Sequence, residues 1–151
     1  MSGLPDDFTE QLRLEHACTR LCIDFARFVD LCEPARCAQL FTEDGVYERR
    51  GERIEGRAAI EAALAARAPT RVSRHLVHNV SIERVDDRHA RGYSVFTMYG
   101  VDGPADAPGG VPRAPLVVPS PLLAEFLDTY RLTAEGWRIA RRTGRTVFRP
   151  A

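Results

Sequence analysis

No lysine occurs anywhere in the 151-residue chain. Arginine carries all 21 positive charges, and 21 acidic residues bring the formal net charge to zero. A surface balanced in this way sets up no long-range field to gather nucleic acid or an anionic membrane, so neither is an expected partner. Long apolar runs are missing too: nothing approaches the roughly 20 residues that cross a bilayer. The opening segment MSGLPDDFTEQ has no positive region followed by an apolar one, and the expectation is a soluble cytoplasmic protein. Metal-ligand spacing is also absent. The four cysteines, Cys18, Cys22, Cys32 and Cys37, lie close together near the start, with no histidine placed to complete a zinc set, so they read as small core residues. Neither a metal nor a cofactor is expected.

What is present reads as one domain, 1–151, long enough to bury about two thirds of the surface of its unfolded chain. From Asp6 to about Cys32, apolar residues recur at Leu14, Cys18, Leu21, Cys22, Phe25, Phe28, Val29 and Cys32, the stripe of a long amphipathic helix. Asp6 or Thr9 can cap it and Pro34 ends it, after which PARCAQLF predicts a short second helix. TEDGVYERRGERIEG reads as turn, strand with Val46 and Tyr47, and turn; GRAAIEAALAARAP is an alanine-rich helix stopped before Pro69. Beyond Arg71 the pattern is β: RVSRHLVHNVSIERV and HARGYSVFTMYG joined at DDR, LLAEFLDTYRL and GWRIARRTGRTVF joined at TAEG, two hairpins. The proline- and glycine-rich segment 100–121 between them is a surface loop, with a lid or a subunit contact as alternatives. Helices leading into such strands predict an α+β fold, the N-terminal helices packed on a curved antiparallel sheet that encloses a pocket.

Strand alternation sets His75, Val77, Asn79 and Ser81 on one face of RVSRHLVHNVSIERV and Leu76, His78, Val80 and Ile82 on the other. The second face is apolar apart from His78, which is assigned to packing. On the first, a histidine, an asparagine and a serine among apolar residues suit the wall of a small-molecule pocket. His75 is the candidate general base, since imidazole titrates near neutral pH; a satisfied polar residue under a loop is the alternative. A carboxylate to orient it must come from Asp24, Asp30, Asp44 or Asp128. The helix wheel favours Asp24 and puts Asp30 nearly opposite the stripe, although Asp30 sits in the last turn before Pro34. Asp128 shares parity with Phe126 and Tyr130, so it lines the cavity or pairs with an arginine, and Asp44 in TEDG is a turn residue.

The helix end DFARFVDLCEPARCAQLFTEDGVYE, then GRAAIEAALAAR, RHLVHN and EGWRIARR, in this order from about residue 8 to 148, resemble the SnoaL-like branch of the NTF2-like superfamily. That family includes scytalone dehydratase, polyketide cyclases and ketosteroid isomerase. The resemblance implies a cone-shaped fold with a pocket and a homo-oligomer, dimer or trimer. Carried over by position from the scytalone dehydratase pattern, Asp30 is the histidine-orienting aspartate, Glu33 a later acid and His75 the catalytic histidine. The chain departs at Val29 and Phe25, where relatives carry tyrosine, and at Gly100, where a second dehydratase histidine stands. The implied activity is a cofactor-free lyase or isomerase, dehydratase- or cyclase-like, acting on a small apolar cyclic substrate. His75 removes a proton beside a carbonyl, Asn79 with Tyr47 or Tyr93 binds the oxygen that gains charge, and Asp128 and Phe25 line the site. A ketosteroid-isomerase variant would recruit Asp44, Tyr93 and Asp128 instead. The alternative class is a non-catalytic ligand-binding or subunit-assembly module that uses the cone or the sheet face of Leu76, His78, Val80 and Ile82.

Overall fold

The computed structural model describes residues 6–103, 112, 114–117 and 120–150. Half of the 100–121 segment, and with it the lid expectation, lies outside the described residues. In chain order the elements are α1 (Asp6–Asp30), α2 (Pro34–Gln39), β1 (Phe41–Arg49), β2 (Glu52–Glu55), α3 (Arg57–Ala65), β3 (Arg71–Arg84), β4 (His89–Asp102), β5 (Leu122–Thr133) and β6 (Gly136–Phe148). The strands form one sheet in the order β2-β1-β6-β5-β4-β3.

The helix stripe buries as its spacing predicts. Leu14, Cys18, Leu21, Cys22, Phe25 and Phe28 pack into a core completed by Phe41, Tyr47, Phe96, Phe126, Tyr130 and Ile139. Phe25 is its hub, edge-on to Phe41, Tyr47 and Phe126 at 5.9, 5.4 and 5.7 Å between ring centroids, an arrangement that sets positive ring edges against negative faces. Cys18, Cys22 and Cys37 are buried and unpaired. Burial pushes the thiols of Cys18 and Cys37 up to about 12, so they stay protonated and unreactive. Among the described residues no helix is long and apolar enough to cross a membrane.

Several features depart from the local sequence signals. The sheet is mixed rather than antiparallel, because β1 runs parallel to β6. Hairpin signals report only on consecutive strands, and β1 reaches β6 across 86 intervening residues, counting from Arg49 to Gly136. The TEDG segment is part of β1 rather than a turn. Its register shifts between Phe41 and Val46, and Gly45 is needed there because a Cβ would sit 2.8 Å from that of Phe41. The largest departure is at Asn79, whose φ is 49°. The β3–β4 register slips between His78 and Ser81, so Asn79 and Val80 together oppose one residue of β4.

This β-bulge places its first residue in the left-handed region, a position that glycine or asparagine tolerates best. It reverses the parity of the rest of β3: Asn79 and Ser81 turn out to solvent, whereas Ile82 packs against the core. Asn79→Gly is expected to leave the thermal midpoint within about 2 °C, whereas Asn79→Val costs on the order of 1–3 kcal/mol by straining a β-branched residue at positive φ. Equal midpoints for the two variants would show that the bulge does not depend on that backbone conformation.

Candidate active site

The last turn of α1 ends in a Schellman motif. Glu33 N–H donates to Phe28 O at 2.9 Å and Cys32 N–H to Val29 O at 3.2 Å, with Cys32 in the left-handed conformation at φ 55°. This closure leaves Asp30 as the final helical residue, beside the start of β3. β3 is an edge strand, and its free backbone groups face the helix end. Asp30 Oδ2 accepts the His75 backbone N–H at 2.7 Å, while Oδ1 accepts both the Ser73 hydroxyl and the His75 Nδ1–H at 2.6 Å each. The helix wheel pointed Asp30 at solvent, yet it is only 6% exposed, because β3 roofs that side of the last turn.

Burial works to raise the Asp30 carboxyl, but the hydrogen bonds from the His75 ring, Ser73 and the His75 backbone, with the attraction of the imidazole, hold it below the usual carboxylate range. An ionised Asp30 fixes the proton on Nδ1 and leaves the Nε2 lone pair as the basic site. Behind the pair, Arg67 donates to Ser73 Oγ at 2.8 Å and to the carbonyls of Val29 and Arg71 at 2.9 and 3.1 Å. The unfolded chain binds the Asp30 proton more readily than the folded one, so stability from this group is present above the ordinary carboxylate value near pH ~3.9 and is lost as pH falls through the lowered folded value. In urea titrations wild type should exceed Asp30→Asn at neutral pH and converge with it on acidification; a pH-independent gap would contradict this coupling.

His75 lines a half-enclosed cavity of about 650 Å³, within the range typical of ligand sites. Its floor is buried and mainly aromatic: Phe25, Tyr47, Phe96 and Phe126, with Ala124. Phe96 stacks on Phe126 at 4.4 Å and lies 5.4 Å from the His75 ring. The Tyr47 hydroxyl makes no hydrogen bond with the described residues, and burial raises its pKa, keeping it protonated as a donor. Arginines line it as well: Arg49 at the end of β1, Arg50 in the β1–β2 turn, Arg67 after α3, Arg71 at the start of β3 and Arg145 on β6.

Residues 10–143 match the family model described as SnoaL-like domain. The chain belongs to the SnoaL-like family. Solved structures with the same fold include an NTF2-like protein with a cystatin-like fold from Novosphingobium aromaticivorans, at 20% identity over 99% of this chain and 95% of that one, TM-score 0.76. A second protein of that organism, provisionally named a scytalone dehydratase, gives 23% identity over 91% and 87% of the two chains, TM-score 0.73. A hexachlorocyclohexane dehydrochlorinase, LinA type 2, gives 14% over 93% and 89%, TM-score 0.74. At these identities the likeness establishes the NTF2-like fold. No curated protein matches the chain.

The SnoaL-like cavity gathers only part of the residue set expected from sequence. Asp30 and His75 meet, and Phe25 and Tyr47 line the cavity with His75. Asn79 does not reach it, because the bulge turns it outward. Tyr93 is on the outer face of the sheet, where its hydroxyl donates to Glu125 at 3.1 Å. Asp24 is held at the surface by Arg20 and Arg27, and Glu33 by Arg36. Asp44 pairs with Arg131, so the Asp44, Tyr93 and Asp128 set does not assemble. Ser73 and Arg71 were legible as same-face neighbours of His75, two and four residues back along the strand; Arg67 carries no local signal.

Asp128 is buried but lies under the floor rather than in the cavity. It accepts two hydrogen bonds from Arg142, at 2.8 and 2.6 Å, and one from the Tyr130 hydroxyl at 2.8 Å. Arg142 is fully buried, with its guanidinium over the rings of Phe25 and Phe126 at 4.5 and 4.1 Å. Burial opposes its charge, and the Asp128 carboxylate outweighs that penalty. A second bulge explains the placement. The β5–β6 register shifts between Thr129 and Tyr130, so Tyr130 faces Ile139 while Thr129 faces Arg141. Ala140 is the extra residue, and Arg142 rather than Arg141 turns inward.

Proposed function

We propose that the protein is a small-molecule lyase or isomerase, dehydratase- or cyclase-like, in which His75 is the general base. The observation that carries this reading is the Asp30–His75 hydrogen bond of 2.6 Å on the wall of a 650 Å³ cavity with an aromatic floor. His75 Nε2 takes a proton from a carbon beside a carbonyl, and the imidazolium is stabilised by Asp30. Tyr47 donates to the carbonyl oxygen as it gains charge, the role that Asn79 and Tyr93 are too remote to share. Returning the proton to a neighbouring carbon completes an isomerisation; giving it to a departing hydroxide completes a dehydration. The named activities of structural relatives, a scytalone dehydratase and a dehydrochlorinase, are of the same elimination type.

The test is deuterium uptake from D2O into a panel of neutral cyclic ketones, 2-tetralone among them, followed by mass spectrometry. Uptake should depend on His75 and fall about 10²- to 10⁴-fold in His75→Ala, the usual share of general-base catalysis. A panel with no His75-dependent uptake would turn the reading toward a ligand-binding module.

Self-association is part of the same proposal. The sheet's outer face exposes Leu76, Tyr93, Tyr99 and Leu127, although Ile82, expected there, packs inward. A stable interface of this kind buries more than about 1,200 Å². Light scattering should give a dimer or trimer for wild type and a smaller species for Leu127→Arg; a wild-type monomer would refute it.

A further inference from the structure

We propose that the substrate carries an anionic oxygen-acid group, a carboxylate or a phosphate, remote from the carbon that loses its proton, and that Arg50 and Arg71 hold this group at the cavity mouth. The inference rests on the reading of His75 as the base for where the reacting end lies, but its evidence is separate.

Charge is distributed unevenly in a chain whose net charge is zero. Among the described residues five arginines line the cavity, Arg49, Arg50, Arg67, Arg71 and Arg145, against one glutamate, Glu52. Part of this charge is compensated: Arg145 pairs with Glu125 at 2.6 Å, Arg49 lies 3.9 Å from Glu52, and Arg71 is 3.6 Å from Asp102. The Asp102 side chain is 74% exposed, so that contact is screened by water. Arg67 pairs with no carboxylate among the described residues; its bonds go to two carbonyls and a hydroxyl. Arg50 has neither an ion pair nor a hydrogen bond among them.

Two local structures show that these side chains are placed rather than left over. Arg50 and Gly51, at φ 50° and 79°, form the two-residue turn between β1 and β2. Both central residues of such a type I′ turn have positive φ, where asparagine, aspartate and glycine are preferred. An arginine there accepts conformational strain to present a guanidinium at the mouth. On β3, Arg71 lies across Gly100. Its Nη2 is 2.6 Å from where a Cβ at position 100 would be, so the guanidinium occupies space that any larger residue would take. The planar forks of arginine match carboxylate and phosphate oxygens. An anion bonded next to the reacting carbon would oppose proton removal, so it belongs at the rim, with the ring system on the aromatic floor.

The test compares two fluorescent probes that differ only by a sulfonate, 1-anilinonaphthalene-8-sulfonate and uncharged N-phenyl-1-naphthylamine. The anionic probe should bind about tenfold or more tightly, the fold-change of one charge-assisted hydrogen bond, and the preference should fall with added salt. Arg50→Asn, which substitutes a residue the turn prefers and so keeps the fold, and Arg71→Gln should each reduce that preference. Arg13→Gln, on exposed α1, should not. Displacement by 2-naphthoate or 2-naphthyl phosphate tells a carboxylate site from a phosphate site. Equal affinity for the two probes, a preference untouched by Arg50→Asn and Arg71→Gln, or displacement by 2-naphthamide as effective as by both anions would overturn the proposal. His75→Ala should cut deuterium uptake into 2-tetralone about 10²- to 10⁴-fold without altering the probe preference, so failure of the base assignment and failure of the anion site give different results.

Discussion

Asp30→Asn is expected to reduce ketone deuteration about 10²- to 10⁴-fold while leaving a folded protein. The size follows from the pattern of bonds. Asp30 Oδ2 accepts a backbone N–H, and Oδ1 accepts the Ser73 hydroxyl and the imidazole Nδ1–H. An amide has only one oxygen to offer, and the backbone N–H of His75 can do nothing but donate, so the oxygen must face it. The amide NH2 then points at Nδ1, which must become an acceptor, and the ring proton moves to Nε2. The base is lost because the tautomer is wrong, with the geometry nearly unchanged. Ser73 can rotate its hydroxyl to accept, which limits the cost to folding. An equal, proportionate loss of activity and thermal stability would show the pair to be structural, and unchanged activity would remove Asp30 from the mechanism.

Asp128→Ala is expected to be the most destabilising single change, by about 3–5 kcal/mol, because it leaves the buried guanidinium of Arg142 without its counter-charge. At about 2–4 °C per kcal/mol for a chain of this size, the thermal midpoint should fall by roughly 6–20 °C. The fall should also disturb the cavity, since Arg142 supports the rings of Phe25 and Phe126 from below. Asp128→Leu combined with Arg142→Met removes both charges, and should recover most of the loss, because two apolar groups of similar volume escape the desolvation penalty. A single-variant cost under about 1 kcal/mol, or a double variant no better than the single, would mean that water or rearrangement compensates the charge.

The sequence alone determined what local periodicity encodes. The α1 stripe, the two hairpins and the three helices follow from 3.6- and 2-residue repeats and from turn residues, and α1 buried most of the side chains its spacing named, Val29 and Cys32 staying half-buried. His75 came from strand alternation, and Asp30 from a family resemblance, against the preference of the helix wheel. Tertiary structure decided the rest, for one physical reason: alternation is reliable only until the chain inserts an extra residue or another element covers it. The bulge at Asn79 moved Asn79 out of the cavity and Ile82 into the core; the one at Ala140 drove Arg142 inward, although a lone arginine in a strand is ordinarily solvated. β3 roofed the end of α1 and buried Asp30 on a side that its own helix left open. The parallel β1–β6 pairing and the set of arginines lining the cavity arise from segments far apart in the chain, and no window of sequence contains both partners.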